Sequence, residues 1–164
     1  MGSWWAGKVR QFRRHLLGRV TPAEREALAK WLTTAQLDLF DGMHPADQRH
    51  GLDVVASLRH AGHHDHELLL AGLLHDAGKG PEVGLWHRVA WSLGERYGDT
   101  VARVASRLPG FAVAFQRIGQ HAHRSATMAR GAGCTPRTVE LIRNQSTPLD
   151  PIHGEALRLA DEAN

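Results

Sequence analysis

His75 and Asp76 stand together at the end of LLLAGLL, a run that is apolar on almost every side. Such a run reads as a buried helix. An imidazole beside a carboxylate does not ordinarily finish one. Burying a carboxylate without a partner costs several kcal/mol, so Asp76 needs a cation or strong hydrogen bonds. Helical neighbours point about 100° apart at 3.6 residues per turn, but a distorted last turn lets both side chains converge on one ion. Two plainer roles stay open for the dyad alone. Asp76 can pair with Lys79 or cap a helix, and His75 can be a satisfied core histidine.

Two other segments carry residues of the same kind. His50 sits in DQRHGLDVV, on the amphipathic helix before the dyad, and Asp161 sits in LRLADEAN, late in the chain. Two histidines and two aspartates form a mixed nitrogen and oxygen donor set. That set suits zinc, iron, manganese, cobalt or nickel better than calcium, and the all-oxygen preference of magnesium counts against it.

Composition narrows the remaining choices. The chain has 164 residues, 42% hydrophobic and 23% charged, which fits one globular domain rather than a disordered segment. Of its twelve histidines, His60, His63, His64 and His66 crowd one stretch, which reads as a solvated loop that could take up nickel or zinc adventitiously. The single cysteine, Cys134, allows no disulfide within the chain and no cysteine-cluster zinc site, which fits a reducing cytoplasm. It sits in a GAGC turn with no neighbouring base and reads as structural. A net charge of +3 and a pI near 9.6 suit an anionic substrate but are too mild to argue for nucleic acid. No apolar run approaches the roughly 18 residues of a membrane span. The start of the chain has no apolar core long enough for a secretory signal.

The elements that must position these residues are helices nearly throughout. Trp5, Val9, Phe12, Leu16 and Val20 recur on one helical face with basic residues around them. This helix is expected to pack on the domain, the alternative being an anionic membrane surface. Thr21, Pro22 and Glu24 form a capping box with proline at the first position, and the helix they open is expected to reach about Leu32. A short helix follows around Leu37–Phe40, then one over about Ala46–Ala61 closed by Gly62. Asp65 caps the dyad helix, which is expected to run to Gly78 and Gly80. Further helices are expected at about 84–95, 99–107, 110–131, 136–144 and 152–163, with Thr135 and Pro136 repeating the cap-then-proline signal. One domain over 1–164 is expected, with 1–36 as a helical extension packed on a core of 37–164.

The ordered set His50, then His75-Asp76, then Asp161 resembles the signature of the HD phosphohydrolase superfamily. The strings RHGLDVVASLRHAG, LLLAGLLHDAGKG and LRLADE resemble its local patterns, and the similarity covers roughly residues 37–164. The resemblance implies an all-α multi-helix bundle with a metal site at the helix junction. It also implies hydrolysis of a phosphate ester or anhydride, often in a nucleotide. It is closest to small bacterial proteins of the dinucleoside tetraphosphate hydrolase type, which hold two metals. His121, in GQHAHRSATMARGAG, matches one further histidine of that pattern. Gln145 stands where the family often has a second, and glutamine is a poor transition-metal ligand. The resemblance therefore implies one divalent ion in preference to two, with His121 and Gln145 near a partial second-metal or substrate position. His153 does not have the spacing to replace the missing histidine.

By resemblance and chemistry together, a divalent ion assists attack by water, and Asp76 both binds the ion and accepts a proton. Lys79, in the glycine-flanked turn after the dyad, and Arg49, beside His50, are candidates to bind substrate phosphate. Their plainer roles are a helix-end cap and a surface residue. The expected partner is a small phosphate-bearing molecule, with self-association left open. The alternative function is an HD-fold module that keeps its metal and senses a nucleotide without hydrolysing it.

Overall fold

Local signals set most of the helix starts. Thr21 caps α1, Pro22–Ala29: its hydroxyl accepts from the Glu24 amide and its own amide donates to the Glu24 carboxylate. Thr33 and Gln36 repeat that box at α2, Thr34–Asp41. α3 spans Pro45–His60, and Asp65 caps α4, His66–Leu74, by accepting from Leu68 N–H at 2.9 Å. Then come α5 Leu85–Tyr97, α6 Asp99–Ala105, α7 Phe111–Gly119, α8 His121–Gly131, α9 Pro136–Arg143 and α10 His153–Ala163. This computed structural model describes residues 18–164, which are all-α with no strand among them. The helix expected over Trp5–Val20 lies outside the described residues as far as Leu17, and residues 18–21 carry no helix.

α4 occupies the centre. Every residue from Leu68 to Leu74 is buried, and α3, α9 and α10 pack around it. Leu68, Leu73, Leu74, Val54, Ile142 and Leu157 are closed off from solvent in this main core. Each such aliphatic side chain stabilises the fold by roughly 1.5–3 kcal/mol relative to exposure. A second, smaller core lies under α5, α6 and α7, made by Val83, Ala114, Phe115 and Ile118 with Trp91 and Phe111 against them. Its rings meet edge to face, Trp91 and Phe111 each on Phe115.

Two expected helices differ from the structure in ways that matter. The dyad helix stops at Leu74; His75 caps it, and Ala77–Lys79 form a single 3₁₀ turn. The segment 110–131 is two helices, broken at Gln120. Both breaks meet at one place. The Gly78 amide donates to Ser125 Oγ at 2.8 Å, and Arg124 Nε donates to the Gly78 carbonyl at 3.0 Å. The dyad turn thus sits directly on the start of α8. A Cβ on Gly78 would lie 2.5 Å from Ser125 N and closer still to the His121 carbonyl. Gly51 does the same for the α3–α4 crossing, where a Cβ would fall 2.5 Å from the Leu73 carbonyl oxygen. These two contacts bring His50 and His121 to the dyad.

Away from the dyad, Arg137 ties together the starts of α4, α9 and α10. It bonds Asp65 and Glu67, and it meets His153, which with Asp150 opens α10. The histidine-rich stretch is largely exposed, at His60, His64 and His66; His63 meets the His153 ring and His66 meets Trp31. Cys134 is buried, with Gln36 Nε2 3.8 Å from its sulfur. No helix among the described residues is long and apolar enough to cross a membrane.

Gly51→Ala should lose about 1–3 kcal/mol in chemical denaturation, although alanine ordinarily gains ~1 kcal/mol over glycine inside a helix. Gly131→Ala, where a Cβ meets nothing within 4 Å, should not destabilise; equal behaviour of the two would refute the close crossing. A second expectation concerns pH. The Leu68 amide lowers the Asp65 pKa, the Thr135 hydroxyl that of Glu67, and the His153 amide that of Asp150, with Arg137 assisting each. Lowered carboxylate pKa values give stability that is present above about pH 4 and lost as pH falls. Asp65→Asn keeps the cap acceptor, so its melting temperature should fall less than that of the wild type between pH 5 and pH 3, in buffers of about equal salt.

Candidate metal centre

The site begins with a polar dyad at the exit of the apolar helix α4. His75 is 1% exposed and Asp76 2%, so neither can turn to bulk water. His75 Nδ1–H donates to the Gly72 carbonyl at 2.9 Å, which aims Nε2 away from its own helix. Nε2 has no hydrogen-bond partner among the described residues; the carboxylate oxygens near it are Asp161 Oδ1 at 3.4 Å and Asp76 Oδ2 at 3.7 Å. Asp76 Oδ1 is likewise buried and unsatisfied. Two buried polar atoms without partners, both of kinds that can bind a cation, belong to this one centre.

His50 enters from α3, one residue before the Gly51 crossing. Its ring centroid is 5.1 Å from that of His75, and its Nε2 lies 2.8 Å from Asp161 Oδ1. His50, His75 and Asp76 each offer a ligand atom, and these three atoms lie within 4.8 Å of one another, a group able to hold a metal ion. Asp161, from α10, touches both imidazoles rather than joining that group of three. The four residues expected to act as ligands are therefore together. His121 adds another nitrogen: its Nδ1–H donates to the Ile118 carbonyl at 2.6 Å, and its Nε2 stands 3.5 Å from Asp76 Oδ1.

Charge explains how these groups tolerate burial. Burial alone would raise Asp76, but the Lys79 ammonium and the surrounding imidazoles hold it well below the usual carboxylate range. Asp161 is also pushed up by burial and pulled down further by the His50 bond and the His75 charge. For His75, burial favours the neutral ring, but Asp76 and Asp161 outweigh it and raise its pKa to about 9. Burial keeps His121 below its ordinary value, so its ring is neutral near pH 7.

A cavity of about 130 Å³ opens beside this centre, lined among others by His50, Asp76, Asp161, Arg49, Lys79 and Arg88. Lys79 Nζ donates to Asp76 Oδ2 at 2.5 Å, and Arg49 is held by Glu24 and Asp53. Gln145 does not line the cavity. It is buried and its Nε2 donates to the His75 carbonyl at 3.2 Å, holding the exit of α4 in place. His153 is engaged with Arg137 and Asp150.

Sequence reasoning missed one pair that the fold brings to this cavity. Arg88 of α5 grips Asp47 of α3 through both terminal nitrogens at 2.6 Å. The sequence offers Asp47 only as an acid in the first turn of a helix and Arg88 only as a basic residue on another. No motif joins them. No protein-family model, no curated protein and no solved structure matches this chain.

A cation entering the centre must displace the proton that the carboxylates keep on His75. Because that pKa is raised, metal affinity should increase as pH rises toward 9, the pKa of His75. Calorimetric titration of chelator-stripped protein with manganese or zinc at neutral pH, in buffers of different ionisation enthalpy, should show release of about one proton per ion. His75→Ala should lose the ion. Uptake with neither proton release nor pH dependence would mean that His75 is not a ligand.

Proposed function

We propose that this protein is a metal-dependent phosphohydrolase of the HD type, acting on a nucleotide or another small phosphate ester or anhydride. The observation that carries the reading is the pair of orphaned ligand atoms beside a cavity that cationic side chains also line. Donors for a cation next to donors for an anion suit a phosphate held by a metal and by fixed charges. The family assignment rests on the sequence pattern of His50, His75, Asp76 and Asp161 and agrees with the all-helical fold.

A divalent transition metal, with iron, manganese, cobalt, nickel and zinc as candidates, would polarise a phosphoryl oxygen and acidify water. His50, His75, Asp76 and Asp161 would hold it. Asp76 is the proposed proton acceptor, since its carboxylate has an oxygen without a hydrogen-bond partner. Lys79 would exchange its bond to Asp76 for one to substrate phosphate, and Arg49 would meet the same anion from α3. His121 Nε2 faces Asp76 with its Nδ1–H committed to a carbonyl, and it would contact substrate or a partial second ion. One ion is favoured over two, because the Gln145 amide is committed to the His75 carbonyl.

The test is turnover of a phosphate panel, from p-nitrophenyl phosphate to nucleoside triphosphates, by protein loaded with each metal in turn. Asp76→Asn and His75→Ala should each lower turnover at least about a hundredfold. A folded Asp76→Asn protein with full turnover would overturn the proposal. Ligand-induced stabilisation without product across the whole panel would point instead to a sensing module.

A further inference from the structure

The Arg88 guanidinium is pinned on three sides and unfinished on the rest. Its terminal nitrogens each give one hydrogen to Asp47, and its Nε donates to the Val83 carbonyl at 3.0 Å. A guanidinium carries five N–H donors. Two of them, one on each terminal nitrogen, have no partner among the described residues. The side chain is only 20% exposed and lines the same cavity as Asp76, His50, Arg49 and Lys79. The other two cations of the cavity are also engaged, Lys79 with Asp76 and Arg49 with Glu24 and Asp53.

Asp47 stands in the first turn of α3, where the helix dipole also favours a carboxylate. It is 2% exposed, and both its oxygens are spent on Arg88. A buried carboxylate gripping both ends of a guanidinium fixes the plane of the fork before any ligand arrives. That arrangement leaves one N–H on each terminal nitrogen at a fixed angle, two separate charged donors suited to a phosphate oxygen.

We infer that Arg88 is a phosphate-binding residue of this cavity and that Asp47 is the positioning residue that holds its fork; this rests on the phosphohydrolase reading of the same site. The ligand class is a phosphate group, free or esterified, bound beside the metal. The probe is inorganic phosphate, titrated calorimetrically into the full chain loaded with manganese. Wild-type protein should bind it, and Arg88→Lys, which keeps the charge and loses the fork, should bind about ten- to a hundredfold more weakly. The double variant Asp47→Asn with Arg88→Met removes both buried charges together, so it should keep its fold and its manganese. It should lose phosphate affinity to at least the same degree.

Equal phosphate affinity in wild type and Arg88→Lys would overturn the inference and leave the hydrolase reading standing. Failure of manganese-loaded wild type to bind phosphate at all would overturn both. If the variants do not fold, wild-type protein still decides the matter. Phosphate should slow modification of Arg88 by phenylglyoxal, followed by peptide mass mapping, and an unchanged rate at Arg88 would overturn the inference.

Discussion

A carboxylate shut away from water must be matched, and the match required by Asp76 organises the molecule around it. Asp76 stands where the most apolar helix of the fold ends, so solvent cannot serve it. The partners come from its own turn and from elements distant in sequence. Lys79 arrives by a tight turn, His50 by a helix crossing without a Cβ at Gly51, and His121 by a helix that starts against Gly78. Even so, one oxygen of Asp76 and one nitrogen of His75 stay unsatisfied. Buried polar groups left without partners are costly, and a divalent ion would offset that cost.

The cavity beside the dyad extends the same logic. Four carboxylates, Asp47, Asp53, Asp76 and Asp161, face three cations, Arg49, Lys79 and Arg88. With the proton that the carboxylates keep on His75, the charge around the cavity is close to balance, and a divalent ion would tip it positive. In the proposed reading, the pocket attracts a phosphate more strongly once the ion is present. Cation first and anion second would follow from the composition of the walls, without any moving part.

Sequence alone exposed those features whose cause is local. The caps at Thr21, Asp65 and Thr135 were legible because a capping side chain serves amides two or three residues away. The dyad was legible because polar residues interrupt an apolar run. His50 and Asp161 were found through the ordered pattern rather than through their own helices. The Asp47–Arg88 pair was invisible for the opposite reason: it is a bond across 41 positions between two residues that look ordinary on their own helices. The break at Gln120 was equally hidden, since the helical pattern of 110–131 continues through it. The docking of α8 onto the dyad turn goes with that break, and nothing in the segment itself announces it. Gln145 drew notice as a missing ligand, and its bond to the His75 carbonyl gives it a positive role that its spacing could not suggest.

The division into a large and a small hydrophobic core also has a consequence for how the cavity behaves in time. α3, α4 and α10, which carry His50, the dyad and Asp161, belong to the large core. Arg88 belongs to α5, which rests on the small one. Segments with less buried apolar surface open at lower free energy than the whole molecule does. Amide hydrogens of α5 to α7 will therefore exchange with solvent ahead of those in α4. One wall of the cavity breathes while its floor stays shut.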